Sequence, residues 1–281
     1  MQDIGLIGLG NIGKFYAKRL LENRYPLTVL DLDRAKVQYA VDLGARAAQT
    51  PAEVADRSEI VILSLPGSHA VEQVMEGEGG ILAHLRPGQL VIDTGTSRPA
   101  TDIRYEQLCA QRGAGFIDAP LTYRKQGQII MVGGTTENFA RARPVLECLS
   151  YKLQHVGPIG DGQMLKLINQ AVLAGRMAVY AECMELAKKH KIDPRLLKEL
   201  LEFDVPEQFF GNDFAGGGHL ALHYKDLGYL LEAAHDSGAN IPITSLVHEI
   251  FKATKPYGDP NWYQVGIITY WRRLNGREDE S

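Results

Sequence analysis

The sequence lacks three features that mark particular classes of protein: paired cysteines, a large excess of one charge and a long apolar run. Its 281 residues contain only three cysteines, Cys109, Cys148 and Cys183, which form no close pair and no zinc-ligand spacing. We therefore expect reduced, mostly packed cysteines and a cytoplasmic location. No secretory signal is expected, because a strand pattern is already under way at Asp3.

The other absences exclude further functions. A net charge of −4 argues against general binding to nucleic acids or to anionic membranes. No apolar run approaches the length that spans a bilayer. His219 and His223 stand four residues apart, but no third metal ligand is evident, so we expect no metal site. The chain is long enough for two domains with a substantial core, since 45% of its residues are hydrophobic.

A glycine-rich turn follows the first strand pattern, residues 3–8, and precedes a helical pattern that runs to residue 22. The turn reads Gly8-Leu9-Gly10-Asn11-Ile12-Gly13. In this spacing Gly8 permits the tight turn, Gly10 lets the backbone approach a pyrophosphate, and Gly13 lets the helix lie close to the strand. Free N–H groups at the helix start suit phosphates. The pattern predicts a dinucleotide site rather than a purely structural turn.

An acidic residue, Asp31, ends the second strand pattern at residues 27–30. A carboxylate at this place hydrogen-bonds the ribose hydroxyls of NAD and repels the 2′-phosphate of NADP. Arg34 has two interpretations, a partner for that phosphate or a solvated residue in the first turn of a helix. We expect NAD to be preferred, with NADP possible.

Strand and helix patterns alternate as far as residue 149. Further strands are predicted at residues 59–65, 90–93, 115–118 and 129–133, with helical segments between them. Repeated βα units of this kind predict an α/β fold with a doubly wound, largely parallel sheet of the Rossmann type. In such a sheet the loops that follow the strands lie together at the ligand-binding edge.

The second half of the chain is predicted to be all-helical. Helical patterns cover residues 161–190, 194–202, 219–237, 242–254 and 261–274. We expect residues 1–158 to form the dinucleotide-binding domain and residues 159–281 to form a helical domain for substrate and dimerisation. The apolar faces of its helices must be covered by one another or by a second copy of the chain, so we expect a homodimer or homotetramer.

The longest of these helices opens with Asp161, whose carboxylate is expected to cap its N-terminus. Lys166 and Asn169 stand one turn apart and share a face. Lys166 allows two interpretations: an ammonium in water above a packed stem, or an ammonium withdrawn from water that exchanges a proton with substrate. Spacing alone favours the first.

Taken in order, these motifs resemble those of the 3-hydroxyisobutyrate dehydrogenase family of β-hydroxyacid dehydrogenases. Relatives of that family include tartronate semialdehyde reductase and 6-phosphogluconate dehydrogenase. Besides the glycine-rich turn, the resemblance rests on Leu65-Pro66, residues 93–99, residues 116–120, residues 131–134, residues 160–170 and Lys225-Asp226-Leu227.

The resemblance implies a role for several residues. Lys166 becomes the catalytic lysine, Asn169 helps to hold the substrate, and Lys225 reaches the cleft near the nicotinamide. Three further residues are implied to line the cofactor: Leu65, Pro66 and Thr96.

Two positions depart from the family pattern. The Ser-Gly-Gly that usually cradles the substrate carboxylate is replaced by Thr122-Tyr123-Arg124, and a serine in the loop after Asp93 is replaced by Gly95. The large side chains either point to solvent or fill space that glycines leave open for substrate. We expect the Arg124 guanidinium, with the Tyr123 hydroxyl and Thr122, to bind the acid group of a small anionic substrate.

The resemblance implies an NAD(P)-dependent oxidoreductase that transfers a hydride between the nicotinamide and a small anionic 3-hydroxy acid or its semialdehyde. Lys166 would be the proton donor or acceptor. The alternatives are an imine reductase, which shares the architecture, and a non-catalytic dinucleotide-binding redox sensor. Retention of Lys166, Asn169 and Lys225 together favours the dehydrogenase.

Overall fold

The computed structural model describes residues 2–211, 213–216, 218–259 and 261–277. The chain divides into two compact units, Met1–Lys166 and Leu167–Ser281. Within the described residues, the first unit carries all nine strands and the second is built of helices. This is the Rossmann-type sheet followed by a helical region that the sequence predicts.

The first unit is organised around a single sheet. In chain order its strands are β1 (Ile4–Ile7), β2 (Leu27–Leu30), β3 (Arg46–Ala47), β4 (Ile60–Leu63), β5 (Leu90–Asp93), β6 (Gly115–Asp118), β7 (Leu121–Arg124), β8 (Gly127–Gly133) and β9 (Lys152–Gly157). Their order in the sheet is β3-β2-β1-β4-β5-β6-β8-β7, with β9 paired to β8. The strands from β3 to β6 are parallel, whereas β8 runs antiparallel to β6 and β7. The chain order reverses between β1 and β4, and parallel sheets bind ligands beyond the carboxyl ends of strands at such a point.

Helices cover both faces of this sheet. They are α1 (Asn11–Glu22), α2 (Arg34–Asp42), α3 (Pro51–Asp56), α4 (Ser68–Glu76), α5 (Pro99–Ala110) and α6 (Thr136–Leu149), with a short 3-10 turn at Leu82–His84. Alternate strand residues enter different cores. Ile60 and Ile62 join the core under α1 and α6, while Val61 and Leu63 join the core under α3 to α5. Strands buried on both faces read as continuous apolar runs, which is why their positions were predictable.

One strand of the sheet was not predicted, because residues 121–124 were interpreted as the loop after residues 118–120. Residues 121–124 form β7, which pairs with β8 in an antiparallel hairpin, with Thr122 opposite Ile129 and Arg124 opposite Gly127. The prediction was wrong because β7 is a short edge strand whose last two residues are exposed. It therefore lacks the apolar run that marks a buried strand. The half-exposed strand β9 was missed for the same reason.

The second unit contains most of the long helix α7 (Asp161–Lys189), which begins in the first unit. Its other helices are α8 (Leu196–Glu199), α9 (Gln208–Gly211), α10 (Leu220–Ser237), α11 (Pro242–Thr254) and α12 (Ile268–Leu274), the last preceded by a 3-10 turn at Gln264–Ile267. Small and flexible side chains of α7, such as Ala174, Ala181 and Met184, pack in its core. Helices α8 and α12 are shorter than the helices predicted at residues 194–202 and 261–274, and α9 was not predicted.

Two observations bear on the classes of protein considered above. Cys109, Cys148 and Cys183 are all free thiols. Across the part of the chain that is described, no helix combines the length and the apolar character needed to cross a lipid bilayer.

The packing of the first turn generates a test of stability. Gly13→Ala should lower the free energy of unfolding by about 2 kcal/mol or more, because its methyl group would overlap the carbonyl oxygen of Gly8. Gly10→Ala is the matched control, since its methyl group would meet no atom within 4 Å, and its effect should stay below about 1 kcal/mol. Urea denaturation followed by circular dichroism compares the two variants, and equal losses would contradict this packing.

Candidate active site

The glycine-rich turn lies where the strand order reverses. Gly8 has φ of +96°, a conformation that favours glycine, and a Cβ there would overlap the backbone of Ser64 at the end of β4. Gly10 is the N-cap residue of α1 and has open space above it. The backbone N–H groups at the start of α1 and the space over Gly10 together form a site that suits a phosphate.

The Asp31 carboxylate lies against this turn. Its Oδ2 accepts a hydrogen bond from the backbone N–H of Leu9 at 2.5 Å, and its Oδ1 accepts one from Asp33 at 2.8 Å. The Lys36 ammonium lies 3.9 Å from the same carboxylate. Arg34 is exposed. An acceptor fixed beside the glycine-rich turn is the arrangement that binds ribose hydroxyls.

The loops after β4 and β5 meet beside the turn. Leu65 is half-buried, Pro66 is exposed, and Thr96 is half-buried. A Cβ at Gly95 would lie 2.6 Å from the carbonyl oxygen of Leu65. The close approach of the two loops therefore leaves little room for a side chain at position 95.

The β7 strand brings Thr122 and Arg124 together. The Arg124 guanidinium Nη1 donates to Thr122 Oγ1 at 3.2 Å and to the Tyr123 carbonyl at 2.8 Å. Thr122 is buried, and Tyr123 accepts a bond from Gln128 Nε2 at its hydroxyl, at 2.7 Å. Successive side chains of a strand point to opposite faces. Tyr123 therefore does not share a face with Thr122 and Arg124, contrary to the expectation that Tyr123 and Arg124 act side by side.

Three fully buried aspartates surround the start of α7: Asp93 at the end of β5, Asp102 on α5 and Asp118 at the end of β6. Asp93 accepts bonds from Gly95 N at 2.8 Å and from Ser97 Oγ at 2.7 Å. Asp102 Oδ2 accepts from the side-chain amide of Gln163 at 2.9 Å. Among the described residues, no hydrogen-bond donor faces Asp102 Oδ1, which is fully buried. The Asp93 carboxyl lies close enough to interact with the Asp102 side chain.

Burial is the main cause of the raised pKa values of two of these carboxyls, those of Asp118 and Asp102. It raises the pKa of Asp118 to about 6, although the backbone N–H groups of Gly160 and Gln163 stabilise the carboxylate. Burial, followed by the charges of Asp93 and Asp118, raises the pKa of Asp102 well above the ordinary value. The raised pKa favours the neutral form of Asp102 beside the Asp93 carboxyl.

Asp118, rather than Asp161, bonds the N-terminus of α7. Asp118 Oδ1 accepts from Gly160 N at 2.8 Å, and Oδ2 accepts from Gln163 N at 2.6 Å. Asp161 is the exposed first residue of the helix, so the prediction that it provides the cap was wrong. Lys166 follows Gln163 by three residues and is half-buried.

In the second unit, a chain of hydrogen bonds links the two predicted substrate-site residues. Asn169 Nδ2 donates to Gln170 Oε1 at 3.3 Å, and Gln170 Nε2 donates to Asp226 Oδ2 at 2.8 Å. The Lys225 ammonium lies 3.2 Å from Asp226 Oδ1 and 4.9 Å from the centre of the Tyr229 ring. Asn169 and Lys225 thus occupy one polar network within that unit.

The two histidines considered as metal ligands differ in setting. His223 is buried with its ring against Phe251, and His219 is the N-cap residue of α10. No group of three or more metal-binding side chains occurs among residues that the structure describes.

Two family profiles match the chain in succession. The NAD binding domain of 6-phosphogluconate dehydrogenase matches residues 3–157, and the NAD-binding region of NADP-dependent 3-hydroxyisobutyrate dehydrogenase matches residues 160–271. The 2-(hydroxymethyl)glutarate dehydrogenase of Eubacterium barkeri is 31% identical, over 97% of this chain and 96% of that protein. The 3-hydroxyisobutyrate dehydrogenase of Pseudomonas aeruginosa is 33% identical, over 89% and 91% of the two chains.

The chain belongs to the 3-hydroxyisobutyrate dehydrogenase family. The structure of Mycobacterium tuberculosis 3-hydroxyisobutyrate dehydrogenase with L-serine matches it with a TM-score of 0.88 at 27% identity, over 97% of this chain and 99% of that one. Membership makes the protein an NAD(P)-dependent hydroxyacid dehydrogenase, and the resemblance seen in its motifs is confirmed.

Several polar residues of this family member were not singled out from its sequence. Asp118, Gln163 and Gln170 lie in segments that carry the resemblance, but no role was assigned to them. Asp102 lies outside those segments, on a helix without a strong pattern. An aspartate at the carboxyl end of an apolar strand was the available signal for Asp118, because such positions lie at the ligand-binding edge.

The buried carboxyls of this dehydrogenase predict a pH-dependent stability. Because the pKa of Asp102 is raised, the folded protein keeps a proton that the unfolded chain loses above about pH 4. The contribution of Asp102 to the free energy of unfolding is therefore largest below about pH 4. It falls by about 1.4 kcal/mol per pH unit as the pH rises toward the pKa of Asp102 in the folded protein.

Asp102→Asn mimics the neutral acid, because its amide oxygen can accept from Gln163 while its N–H faces Asp93. The free energy of unfolding of this variant, relative to the native protein, should rise between pH 5 and pH 7. Urea denaturation at the two pH values measures the difference. If the free energies of unfolding of the variant and the native protein differed by the same amount at both pH values, a neutral Asp102 would be contradicted.

Proposed function

We propose that this protein oxidises a small 3-hydroxy acid to its semialdehyde, or reduces the semialdehyde, with Lys166 as the proton-transferring group. The observation that carries the proposal is the bonding of the first turn of α7. That turn is attached to Asp118 at the sheet edge and to the loop of Gly95 and Ser97, so Lys166 stands three residues beyond a bonded anchor. A half-buried lysine on such a turn is better suited to proton transfer than a solvated one.

The residues of the glycine-rich turn fit a nicotinamide dinucleotide. Gly10 and the N–H groups of α1 would take the pyrophosphate, Asp31 would take the adenosine ribose, and Leu65, Pro66 and Thr96 would line the cofactor. Leu9, Asn11 and Ile12 complete the turn. When bound, the nicotinamide supplies the hydride chemistry.

The protein side chains supply positioning and charge. In the oxidation, Lys166 as a neutral amine accepts the hydroxyl proton and becomes an ammonium; in the reduction, the ammonium returns that proton to the substrate oxygen and stabilises the negative charge that develops on it. Thr122 orients the substrate by a hydrogen bond. Within the second unit, Asn169 and Lys225 belong to the polar network of Gln170 and Asp226, which suits the binding of polar groups.

The relatives support a particular class of substrate. 2-(Hydroxymethyl)glutarate, 3-hydroxyisobutyrate and L-serine all carry a CH2OH group on the carbon next to a carboxylate, and they differ in the other substituent of that carbon. We infer a 2-substituted 3-hydroxypropanoate as substrate. The Arg124 guanidinium beside Thr122 is suited to its carboxylate.

The test is oxidation of these three acids with NAD+ and with NADP+, followed by absorbance of the reduced cofactor, beside reduction of a cyclic imine. Turnover of at least one acid is expected. Turnover of the imine alone would favour an imine reductase, and cofactor binding without any turnover would favour a redox sensor.

Lys166→Ala should lower kcat by roughly 10²–10⁴-fold, the loss expected for a positioned acid–base group. NADH affinity, measured by fluorescence titration, should change little because the glycine-rich turn is intact. Lys18→Ala, on the exposed side of α1, is the matched control. Near-normal turnover by Lys166→Ala would exclude the proposed role.

The ratio of kcat/KM with NAD+ to that with NADP+ should exceed one. Asp31→Asn should lower this ratio by about tenfold, because the repulsion of a 2′-phosphate is removed. Asp42→Asn, at the exposed end of α2, should leave it unchanged. A native preference for NADP+ would show instead that Arg34 binds the phosphate and that the role of Asp31 is different.

Arg124→Ala should raise KM for the hydroxy acid at least tenfold more than KM for its uncharged carboxamide, because only the acid uses the guanidinium. Arg124→Lys should restore part of the loss, since a point charge cannot form a bidentate pair. Lys125→Ala, the next residue of the hairpin, is the control. Equal effects of Arg124→Ala on KM for the acid and for the carboxamide would show that Arg124 does not bind the carboxylate.

Two expectations about the whole protein stay predictions. Apolar side chains on α7, including Val172, Val179 and Leu186, are more than half exposed, which supports association with a second copy as a homodimer or homotetramer. A cytoplasmic location is supported by the free thiols.

A further inference from the structure

Gln163 is completely buried, and its amide bonds two separate parts of the first unit. Its Oε1 accepts from the backbone N–H of Ser97 at 3.1 Å. Its Nε2 donates to the Gly95 carbonyl at 3.2 Å and to Asp102 Oδ2 at 2.9 Å. The residue's own backbone N–H donates to Asp118 at 2.6 Å. Both donors of the amide, and its acceptor, are therefore used.

The bonding pattern requires an amide. The site presents one N–H group, from Ser97, and two acceptors, from Gly95 and Asp102, and a glutamine side chain complements all three. A carboxylate would bring a further negative charge into a region that already holds the Asp93 and Asp118 carboxylates. An apolar side chain of the same length would leave buried polar groups without partners.

The two backbone partners of the amide lie on either side of Thr96, which is proposed to line the cofactor. The same residue begins the helical turn that ends at Lys166. Gln163 is thus the direct link between a loop at the cofactor site and the turn that carries the proton-transferring lysine.

We propose that Gln163 is a positioning residue that sets the placement of Lys166 relative to the Gly95–Ser97 loop. Proton transfer and hydride transfer occur at neighbouring atoms of one substrate, so the lysine and the cofactor must be aligned together. A displacement of about 1 Å from a productive geometry costs up to about 10²-fold in rate. This inference rests on the proposed function, because it needs Lys166 as the acid–base group.

The test is a double-mutant cycle on the enzyme oxidising 3-hydroxyisobutyrate with NAD+, or whichever acid of the three is oxidised fastest. Gln163→Met keeps the length and removes the hydrogen bonds. It should lower kcat by about 10–10²-fold, with KM for the acid changed by less than about threefold. In a Lys166→Ala background, the same substitution should lower kcat by less than about threefold, because the group that it positions is already absent.

Gln89→Met is the matched control. Gln89 is also buried and fully bonded, since it accepts from Arg86 N and donates to Ala55 O and Ser58 O, but it lies before β5 and away from α7. The control should lower thermal stability to an extent similar to Gln163→Met, while leaving kcat nearly unchanged in both backgrounds.

Gln163→Glu provides a test that does not depend on an apolar replacement. Burial near Asp93, Asp102 and Asp118 favours the neutral acid form, which keeps one donor and one acceptor. The ratio of kcat of Gln163→Glu to kcat of the native enzyme should therefore be several-fold higher at pH 6 than at pH 8. A kcat equal to that of the native enzyme at both pH values contradicts the role of the amide donors.

The outcomes separate this inference from the proposed function. If Lys166→Ala retains normal turnover, or none of the three acids is oxidised, the proposed function fails, and the inference fails with it. If Lys166→Ala is impaired but the effects of Gln163→Met and Lys166→Ala multiply, only the positioning role of Gln163 is overturned.

Discussion

The structure depends on the bonding of one buried carboxylate, Asp118, to the first turn of α7. Two backbone N–H groups, of Gly160 and Gln163, donate to it from a helix end where positive partial charge accumulates. These bonds offset part of the cost of burying a charge. They hold the first turn of α7, which leads to Lys166, against the end of strand β6.

Glycine makes this bonding sterically possible. A Cβ at Gly133 or at Gly162 would overlap the Asp118 carboxylate. Strand β8 and helix α7 can therefore both approach the Asp118 side chain. A larger residue at either glycine would prevent this approach. The Asp118 carboxylate is thus enclosed by backbone, while Asp93 and Asp102 accept side-chain hydrogen bonds from Ser97 and Gln163.

The parts of the fold that follow local patterns were predictable from the sequence. Buried parallel strands, the glycine-rich turn and the helix that carries Lys166 all have short-range signals of apolar runs, glycine spacing and helical periodicity. The hairpin strand β7 has no such signal, because its pairing partner and exposure are set by the edge of the sheet. The bonds of Gln163 join residues more than 40 positions apart, so helical periodicity showed only that it lies on a helix. The capping of α7 was misassigned to Asp161 because a sequence pattern favours the local acceptor, whereas the fold supplies a distant one.

The proposed activity is transfer of a hydride between a hydroxy acid and the nicotinamide, with the proton carried by Lys166. The most direct measurement uses the acid of the three that is oxidised fastest, deuterated at its CH2OH carbon, with unlabelled NAD+ or NADP+. Mass spectrometry of the reduced cofactor should show one deuterium per molecule formed, because the hydride moves directly between the two carbons. Reduced cofactor without deuterium, or no reduced cofactor from any of the three acids, would contradict direct hydride transfer by this protein.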